Sequence, residues 1–177
     1  MNIKSRNIYL IYLLLYFSLL VGFYLNEDFS LGSRVDYFQH KISVAMFEKD
    51  FMKTLLSFGE EPTSHSPIFY IFFLFLKKVS FNENIARLIN LHLSLFIPYF
   101  FYLCLRLKYN FHRTNLKSLI PCIIFLSPYF RAGAIWIGSE NISLLFLIIS
   151  FYFFLKYEFD KEKNFSNIFL NVLFLAC

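Results

Sequence analysis

Charged side chains are scarce in this chain of 177 residues, since Asp, Glu, Lys and Arg together make up only 16%. A soluble domain carries about 25%. Apolar residues reach 58%. That excess is too large for one soluble core, because a domain of about 150 residues buries only about 70% of its surface. The composition therefore excludes both a soluble globular enzyme and a disordered chain, and it predicts a multi-spanning membrane protein.

Several motifs that announce common chemistry are also missing. The chain has no P-loop, no dinucleotide-binding glycine pattern and no H-E-x-x-H motif. Its three cysteines, Cys104, Cys122 and Cys177, lie in apolar stretches and form no C-x-x-C pair, so we expect neither a disulfide framework nor a zinc site. The net charge is +5, but no dense run of Lys and Arg is present, and nucleic acid is not an expected partner.

What the chain does contain is a series of apolar runs of helical length. They predict an all-α fold, a polytopic transmembrane helical bundle of about five spans. We place the spans at 8–25, 87–105, 118–137, 142–157 and, incomplete, 165–177. Since the last run stays apolar to its end, we expect the chain to be the N-terminal part of a single, larger membrane domain.

The first span is expected to begin in the cytoplasm. Lys4 and Arg6 precede it, and no small-residue cleavage site follows it, so we interpret it as an uncleaved helix and not as a signal peptide. The richness in Phe, Ile, Asn, Lys and Tyr hints at an AT-rich bacterial genome. The predicted location is therefore the cytoplasmic (inner) membrane of a bacterium, crossed several times.

Residues 26–86, between the first two spans, form the polar part of the chain. Residues 26–64 hold seven of the twelve acids. Between Ser33 and Phe58 apolar residues recur at helical spacing, which predicts one or two amphipathic helices on the membrane surface. The apolar run 66–76 covers only about 11 residues, a length typical of an interfacial or re-entrant segment.

The basic loop 106–117 decides the predicted topology. It carries four Lys or Arg residues and no acid. If 66–76 crosses the membrane, this loop lies outside; if it does not, the loop lies in the cytoplasm. The positive-inside rule favours the second arrangement. The region 26–86 then forms one large extracytoplasmic loop, and the connection 138–141 lies on the same face.

Two acids on that face are candidate catalytic residues, Asp36 and Glu140. Glu140 is the only acid between Asn84 and Tyr157, and an ionisable residue at the membrane boundary is a default candidate for function. Its alternative role is structural, since an acid is favoured in the first turn of a helix that Ser139 can cap. Asp36 could act as a general base or metal ligand, or complete a capping box with Ser33.

Two basic side chains are candidates for binding a phosphate. His65 ends the polar loop, where it could donate a hydrogen bond to a phosphate or simply be solvated. Arg131 lies near the predicted outer end of its span. A guanidinium binds phosphate bidentately, whereas the alternative for Arg131 is to extend towards the lipid headgroups.

Three stretches of the chain resemble the N-terminal part of the GT-C class of membrane glycosyltransferases, near the protein O-mannosyltransferase and lipid A aminoarabinose transferase group. Residues 33–40 combine an acid with aromatic and His residues. Residues 64–70 are similar to the family pattern H-P-P-x-x-Y, although Ser66 replaces its first proline. Residues 126–141 are similar to the family's S-P…T-[DE]-x pattern and are the most specific of the three.

The resemblance implies an enzyme of the hexosyltransferase type. It would move a sugar from a polyprenyl-phosphate carrier to an acceptor glycan, lipid or protein outside the membrane. By motif position, Asp36 is the first catalytic acid, as base or metal ligand, Glu140 is the second acid facing it, and His65 lies near the donor phosphate. The positive charge for the departing phosphate would come either from a divalent metal ion held by Asp36 and Glu140 or from Arg131. The alternatives are a non-catalytic membrane carrier or flippase component, and an inactive fragment.

Overall fold

The computed structural model describes residues 5–28, 32–60, 65–80, 82–109, 116–159 and 164–176, and within these ranges every regular element is helical. The elements are α1 (Ser5–Tyr24), α2 (Ser33–Lys49), α3 (Phe51–Leu56), α4 (Pro67–Val79), α5 (Glu83–Ser94), α6 (Phe96–Tyr109), α7 (Pro128–Trp136), α8 (Ser139–Phe159) and α9 (Phe165–Leu175), with 3-10 segments at Phe58–Glu60 and Leu116–Leu126. The predicted all-α class is confirmed.

Among the described helices, two are long and apolar enough to cross a membrane. One is the 27-residue rod Glu83–Tyr109, which comprises α5 and α6, and the other is α8, with 21 residues. They contain the spans predicted at 87–105 and 142–157. The rod is interrupted at Leu95, one turn before Pro98. Because proline has no N–H and its ring clashes with the carbonyl four residues earlier, the helix breaks there.

The span predicted at 118–137 is a broken pair of helices. The 3-10 segment and α7 meet at Ser127 with a bend of 73°, and the pair adds a third crossing if it spans as one unit. Ser127 caps α7 by accepting a hydrogen bond from the N–H of Phe130, and Pro128 occupies the first helical position. The apolar helices Ile8–Tyr24 and Phe165–Leu175 are shorter, so the spans at 8–25 and 165–177 stay predictions.

The described part of residues 26–64 contains two α-helices, α2 and α3, at the position where the apolar periodicity predicts one or two. The inner face of α2 is buried through Tyr37, His40, Val44 and Phe47. Its outer face exposes an apolar stripe at helical spacing, formed by Val35, Phe38, Ile42 and Met46. This outer stripe contains most of the residues from which the sequence predicts a surface-lying amphipathic helix.

Helix α4 occupies the short apolar run 66–76, and it packs inside the protein. Ser66 caps it and Pro67 begins it. Phe73 is 2% exposed and Leu76 is 1% exposed, so the helix contributes to the core that α2, α5 and α7 share. At its far end Lys77 forms an ion pair with Glu48 of α2, with 2.7 Å between Nζ and Oε2.

Polar side chains hold the end of α7 within the bundle. The carbonyls of Gly133 and Ala134 accept hydrogen bonds from Asn90, at 3.1 and 2.8 Å. The carbonyl of Ile135 accepts one from the Nε of Arg87, at 2.9 Å. A helix that stops inside a bundle leaves its last carbonyls without partners, and buried carbonyls need them. Helix α5 supplies these partners and thereby positions the turn that leads into α8.

Candidate functional site

A cleft of about 360 Å³ opens where α4 and α8 begin. Its polar side is formed by His65 and Ser66 at the start of α4, by Ser139 and Glu140 at the start of α8, and by Ser143 one turn further along α8. Its other wall is apolar. The residues that line it are His65, Ser66, Ile68, Phe69, Ser139, Glu140, Ile142, Ser143 and Phe146. Two of the four predicted site residues, His65 and Glu140, therefore share one cleft.

Direct contacts join the three stretches that carry the family resemblance. The Oγ of Ser139 lies 3.0 Å from the Nδ1 of His65. On its other side the His65 ring meets the ring of His40 edge to face, with 4.7 Å between their centroids. Residues 40, 65 and 139 are far apart in the sequence, and the fold brings them into one row beside the cleft.

Glu140 lies at the rim of the cleft, in the first turn of α8, and it is exposed. The turn before it is tight. Ile137 adopts the left-handed conformation, with φ 56° and ψ 56°, and the N–H of Gly138 donates to the carbonyl of Gly133 at 2.8 Å. A side chain at position 138 would collide with the backbone of Gly133 and the Glu140 carboxylate. Only glycine fits there, and the carboxylate folds back over the turn.

Asp36 is exposed in the first turn of α2, and it is not among the residues that line the cleft. The structure does not show the predicted capping box: α2 begins at Ser33, Gly32 is the N-cap, and the Asp28 carboxylate accepts a hydrogen bond from the N–H of Arg34 at 3.2 Å. Asp36 stands one turn from His40. Burial and the neighbouring His65 lower the pKa of His40 to about 4, against the opposing effect of the Asp36 carboxylate. His40 is therefore neutral at physiological pH.

Arg131 is engaged with the protein itself. Its Nε and Nη2 donate to the two carboxylate oxygens of Glu27, each at 2.6 Å. Its Nη1 and Nη2 also reach the Oγ and the carbonyl of Ser18, at 3.2 and 3.0 Å. The guanidinium thus joins α7 to α1 and to the residues that follow it. A phosphate at Arg131 would have to compete with the Glu27 carboxylate.

Sequence reasoning missed the partners of this region. Glu27 was one acid among several, although its carbonyl also accepts a hydrogen bond from the Trp136 indole at 2.9 Å. The Arg87 guanidinium is buried and stacks on the Trp136 ring, 3.7 Å from its centroid. An arginine at the edge of an apolar run indicates that its guanidinium pairs inside the protein. The sequence does not show which residue is the partner.

The predicted divalent-metal site has limited support in the ligand set. Among the residues that the structure describes, no group of three or more His, Cys, Asp or Glu side chains is placed to hold a metal ion. A hard divalent cation takes at least six oxygen ligands, often several of them waters. A metal held by Asp36 and Glu140 stays a prediction.

Comparisons with family models, with curated proteins and with solved structures find no match to this chain.

Proposed function

We propose that this chain carries the site of a membrane glycosyltransferase that moves a sugar from a polyprenyl-phosphate carrier to an acceptor on the extracytoplasmic side. The observation that supports it most is the row His40, His65 and Ser139, with Glu140 next in the chain. Segments that resemble one family's site motifs at three separate positions meet beside a single cleft. Chance resemblance gives no reason for such segments to converge.

In this mechanism Glu140 is the base that faces the acceptor. It lines the cleft and is exposed, so a hydroxyl entering from solvent or from the lipid surface can reach its carboxylate. The acceptor oxygen bonds to the anomeric carbon as the bond from that carbon to the phosphate oxygen breaks. The hydroxyl proton passes to Glu140. The resemblance implies Asp36 as the base, but Asp36 does not line the cleft, so we assign this role to Glu140.

His65 is the better placed of the two proposed phosphate contacts. It lines the cleft, whereas Arg131 lies between α1 and α7 in its pairing with Glu27. A lipid phosphate is a good leaving group when a donor hydrogen bond meets its developing charge. Arg131 takes part only if a bound donor draws it away from Glu27.

The proposed membrane arrangement has five spans, an N-terminus in the cytoplasm, and residues 26–86 as a large extracytoplasmic loop. The apolar stripe Val35, Phe38, Ile42 and Met46 then faces the membrane surface. The site lies outside a bacterial inner membrane, where a polyprenyl-phosphate sugar and an acceptor glycan, lipid or protein can meet. Two or three candidate spans among the described helices support the membrane location.

The experiment is a transfer assay with the purified protein in proteoliposomes. Polyprenyl-phosphate carriers with radiolabelled hexoses or aminopentoses serve as donors, and a crude envelope extract supplies acceptors. We expect transfer by the wild-type protein and a loss of about 10²-fold or more in Glu140→Gln. Glu158→Gln is the matched control, because Glu158 is exposed near the other end of α8. Transfer that survives in Glu140→Gln would refute the role of Glu140, and no transfer from any donor would refute the proposed activity.

A membrane carrier is the second candidate, and the broken pair formed by the 3-10 segment and α7 favours it. Substrate sites of many transporters lie where a helix breaks inside the membrane. The 73° bend at Ser127 and the polar side chains around the end of α7 match that pattern. Uptake of a labelled lipid-linked sugar into vesicles without any sugar transfer would favour the carrier.

A further inference from the structure

Ser139 and His65 form a pair with the geometry of an activated nucleophile. The distance of 3.0 Å between Oγ and Nδ1 lies within the range at which a histidine accepts a serine proton. The His65 ring is held in place by the rings of His40 and Phe69, whose centroids lie 4.7 and 5.8 Å away. Both members of the pair line the same cleft.

The backbone around Ser139 is strained and leads directly into a helix. Ile137 is a β-branched residue at φ 56°, fully buried two positions before Ser139. Such residues rarely adopt this conformation, and outliers of this kind concentrate at functional sites. Ser139 is the first residue of α8, so the N–H of Glu140 belongs to a first turn that has no acceptors within the helix. The nucleophile elbow of hydrolases also places its serine on a strained turn before a helix, although there a strand precedes the turn and here α7 does.

The cleft itself matches an amphiphilic ester. Ile68, Phe69, Ile142 and Phe146 form an apolar wall beside the serine, and Ser143 and Glu140 lie on the polar side. Because α8 continues from this cleft as an apolar helix long enough to cross a membrane, the apolar wall continues along a candidate span. An acyl chain suits the wall, and the ester carbonyl then lies at Ser139.

We propose that Ser139 is a nucleophile for carboxylic esters of lipids, activated by His65, as an activity separate from sugar transfer. The Ser139 Oγ bonds to the acyl carbon while its proton passes to His65 Nδ1. The N–H of Glu140 donates to the carbonyl oxygen as negative charge develops on it. The bond from the acyl carbon to the alcohol oxygen breaks, and the alcohol leaves with the proton from His65. Water then releases the acid from Ser139, again through His65, and regenerates the hydroxyl.

The test uses a fluorophosphonate probe on the purified wild-type chain in detergent, followed by mass spectrometry of the labelled peptide. In the reaction the Ser139 oxygen bonds to phosphorus and fluoride leaves. We expect the label on Ser139, no label in Ser139→Ala, and a labelling rate lowered about 10²-fold in His65→Ala. Ser57→Ala is the control, because the Ser57 hydroxyl lies outside the cleft and donates to the carbonyl of Lys53. It should be labelled like the wild type.

Labelling of the wild-type chain tests the role of Ser139 even if a variant fails to fold. No label on the wild-type chain, or a label on another serine, overturns it, as does equal labelling of a folded Ser139→Ala. Hydrolysis of a short-chain p-nitrophenyl ester provides a second readout, with loss expected in Ser139→Ala. These measurements need no sugar donor, so a failed transfer assay and a failed labelling experiment remain distinguishable.

Discussion

Arg131 and Glu27 lie 104 positions apart in the chain and form a bidentate salt bridge, with both N to O distances at 2.6 Å. The Arg131 side chain is 14% exposed and that of Glu27 is 7% exposed. The pair fastens α7 to the end of α1. Gly22 allows this close approach, because a side chain there would collide with the Glu27 carboxylate and the Arg131 guanidinium. The close contact between α1 and α7 therefore depends on both the glycine and the ion pair.

Loss of one partner of this pair should be costly. Glu27→Gln leaves the guanidinium buried without its counter-charge, and removal of one member of a buried pair costs about 3–5 kcal/mol. We expect a loss of that order in the free energy of unfolding, measured by denaturant titration in detergent. The control is Glu48→Gln, which breaks the exposed pair of Glu48 with Lys77. Exposed pairs contribute about 0–1 kcal/mol. Equal effects from the two substitutions would contradict the role given to the buried pair.

Asn90 should contribute strongly to the stability of the fold. Its amide donates to the carbonyls of Gly133 and Ala134. The Gly133 carbonyl also accepts from the N–H of Gly138, so Asn90→Leu deprives mainly the buried Ala134 carbonyl of its side-chain partner. We expect a destabilisation of about 1–3 kcal/mol in the same titration. Gln39→Leu, at an exposed position on α2, should stay within about 0.5 kcal/mol of wild type. If Asn90→Leu is equally harmless, the carbonyls of α7 do not need these bonds.

His40 should make stability depend on pH. Its pKa falls from 6.5 to about 4 on folding, because burial and His65 disfavour the charged ring more than Asp36 favours it. Between these two values the unfolded chain binds a proton that the folded chain does not. The contribution of the neutral His40 ring to the free energy of unfolding is therefore fully present above pH 6.5, and it decreases as the pH falls towards 4. The loss is at most about 3 kcal/mol.

The measurement is the thermal unfolding midpoint between pH 7 and pH 4, for the wild type and for His40→Phe. The phenyl ring retains the aromatic contacts with Phe69 and Tyr70 and does not titrate. We expect the wild type to lose more stability than the variant over this interval. Parallel curves for the two proteins would show that His40 does not titrate as described.

The proposed topology predicts which side of the membrane each loop faces. Met52 is 61% exposed on α3 in the outer region, and Lys108 is exposed in the last turn of α6, next to the basic loop. In a background with the native cysteines replaced by alanine, a membrane-impermeant maleimide should label Met52→Cys in intact cells. Lys108→Cys should react only after permeabilisation. The reverse pattern would place residues 26–86 in the cytoplasm and the proposed site with them.

The sequence predicts the helices far better than it predicts their partners. Apolar runs locate the two long helices because a span needs a continuous apolar length, which is a local property. Pro128 also predicts that the span at 118–137 is broken, although it does not predict the 73° angle of the bend. In α2 the apolar periodicity follows the outer stripe from Val35 to Met46. The inner face is harder to recognise from the sequence because it includes the polar ring of His40.

The site was only partly predictable for a related reason. Family resemblance pointed to His65 and Glu140, and the structure places both in one cleft. Neither the spacing of residues nor the resemblance predicts that the His65 ring contacts the Ser139 hydroxyl. They also do not predict that the Glu27 carboxylate pairs with the Arg131 guanidinium. These pairings join positions 74 and 104 residues apart. Such contacts depend on how the helices pack, and that information is absent from any local pattern.

The most direct test of the central claim asks whether a lipid-linked sugar donor binds in this cleft. A polyprenyl-phosphate sugar with a diazirine on the sugar is irradiated with the protein in proteoliposomes, and the crosslinked peptides are identified by mass spectrometry. We expect crosslinks at the starts of α4 and α8, around His65 and Glu140. An excess of unlabelled polyprenyl-phosphate sugar should abolish them. Crosslinks confined to other helices, or crosslinks that the unlabelled donor does not reduce, would contradict the central claim.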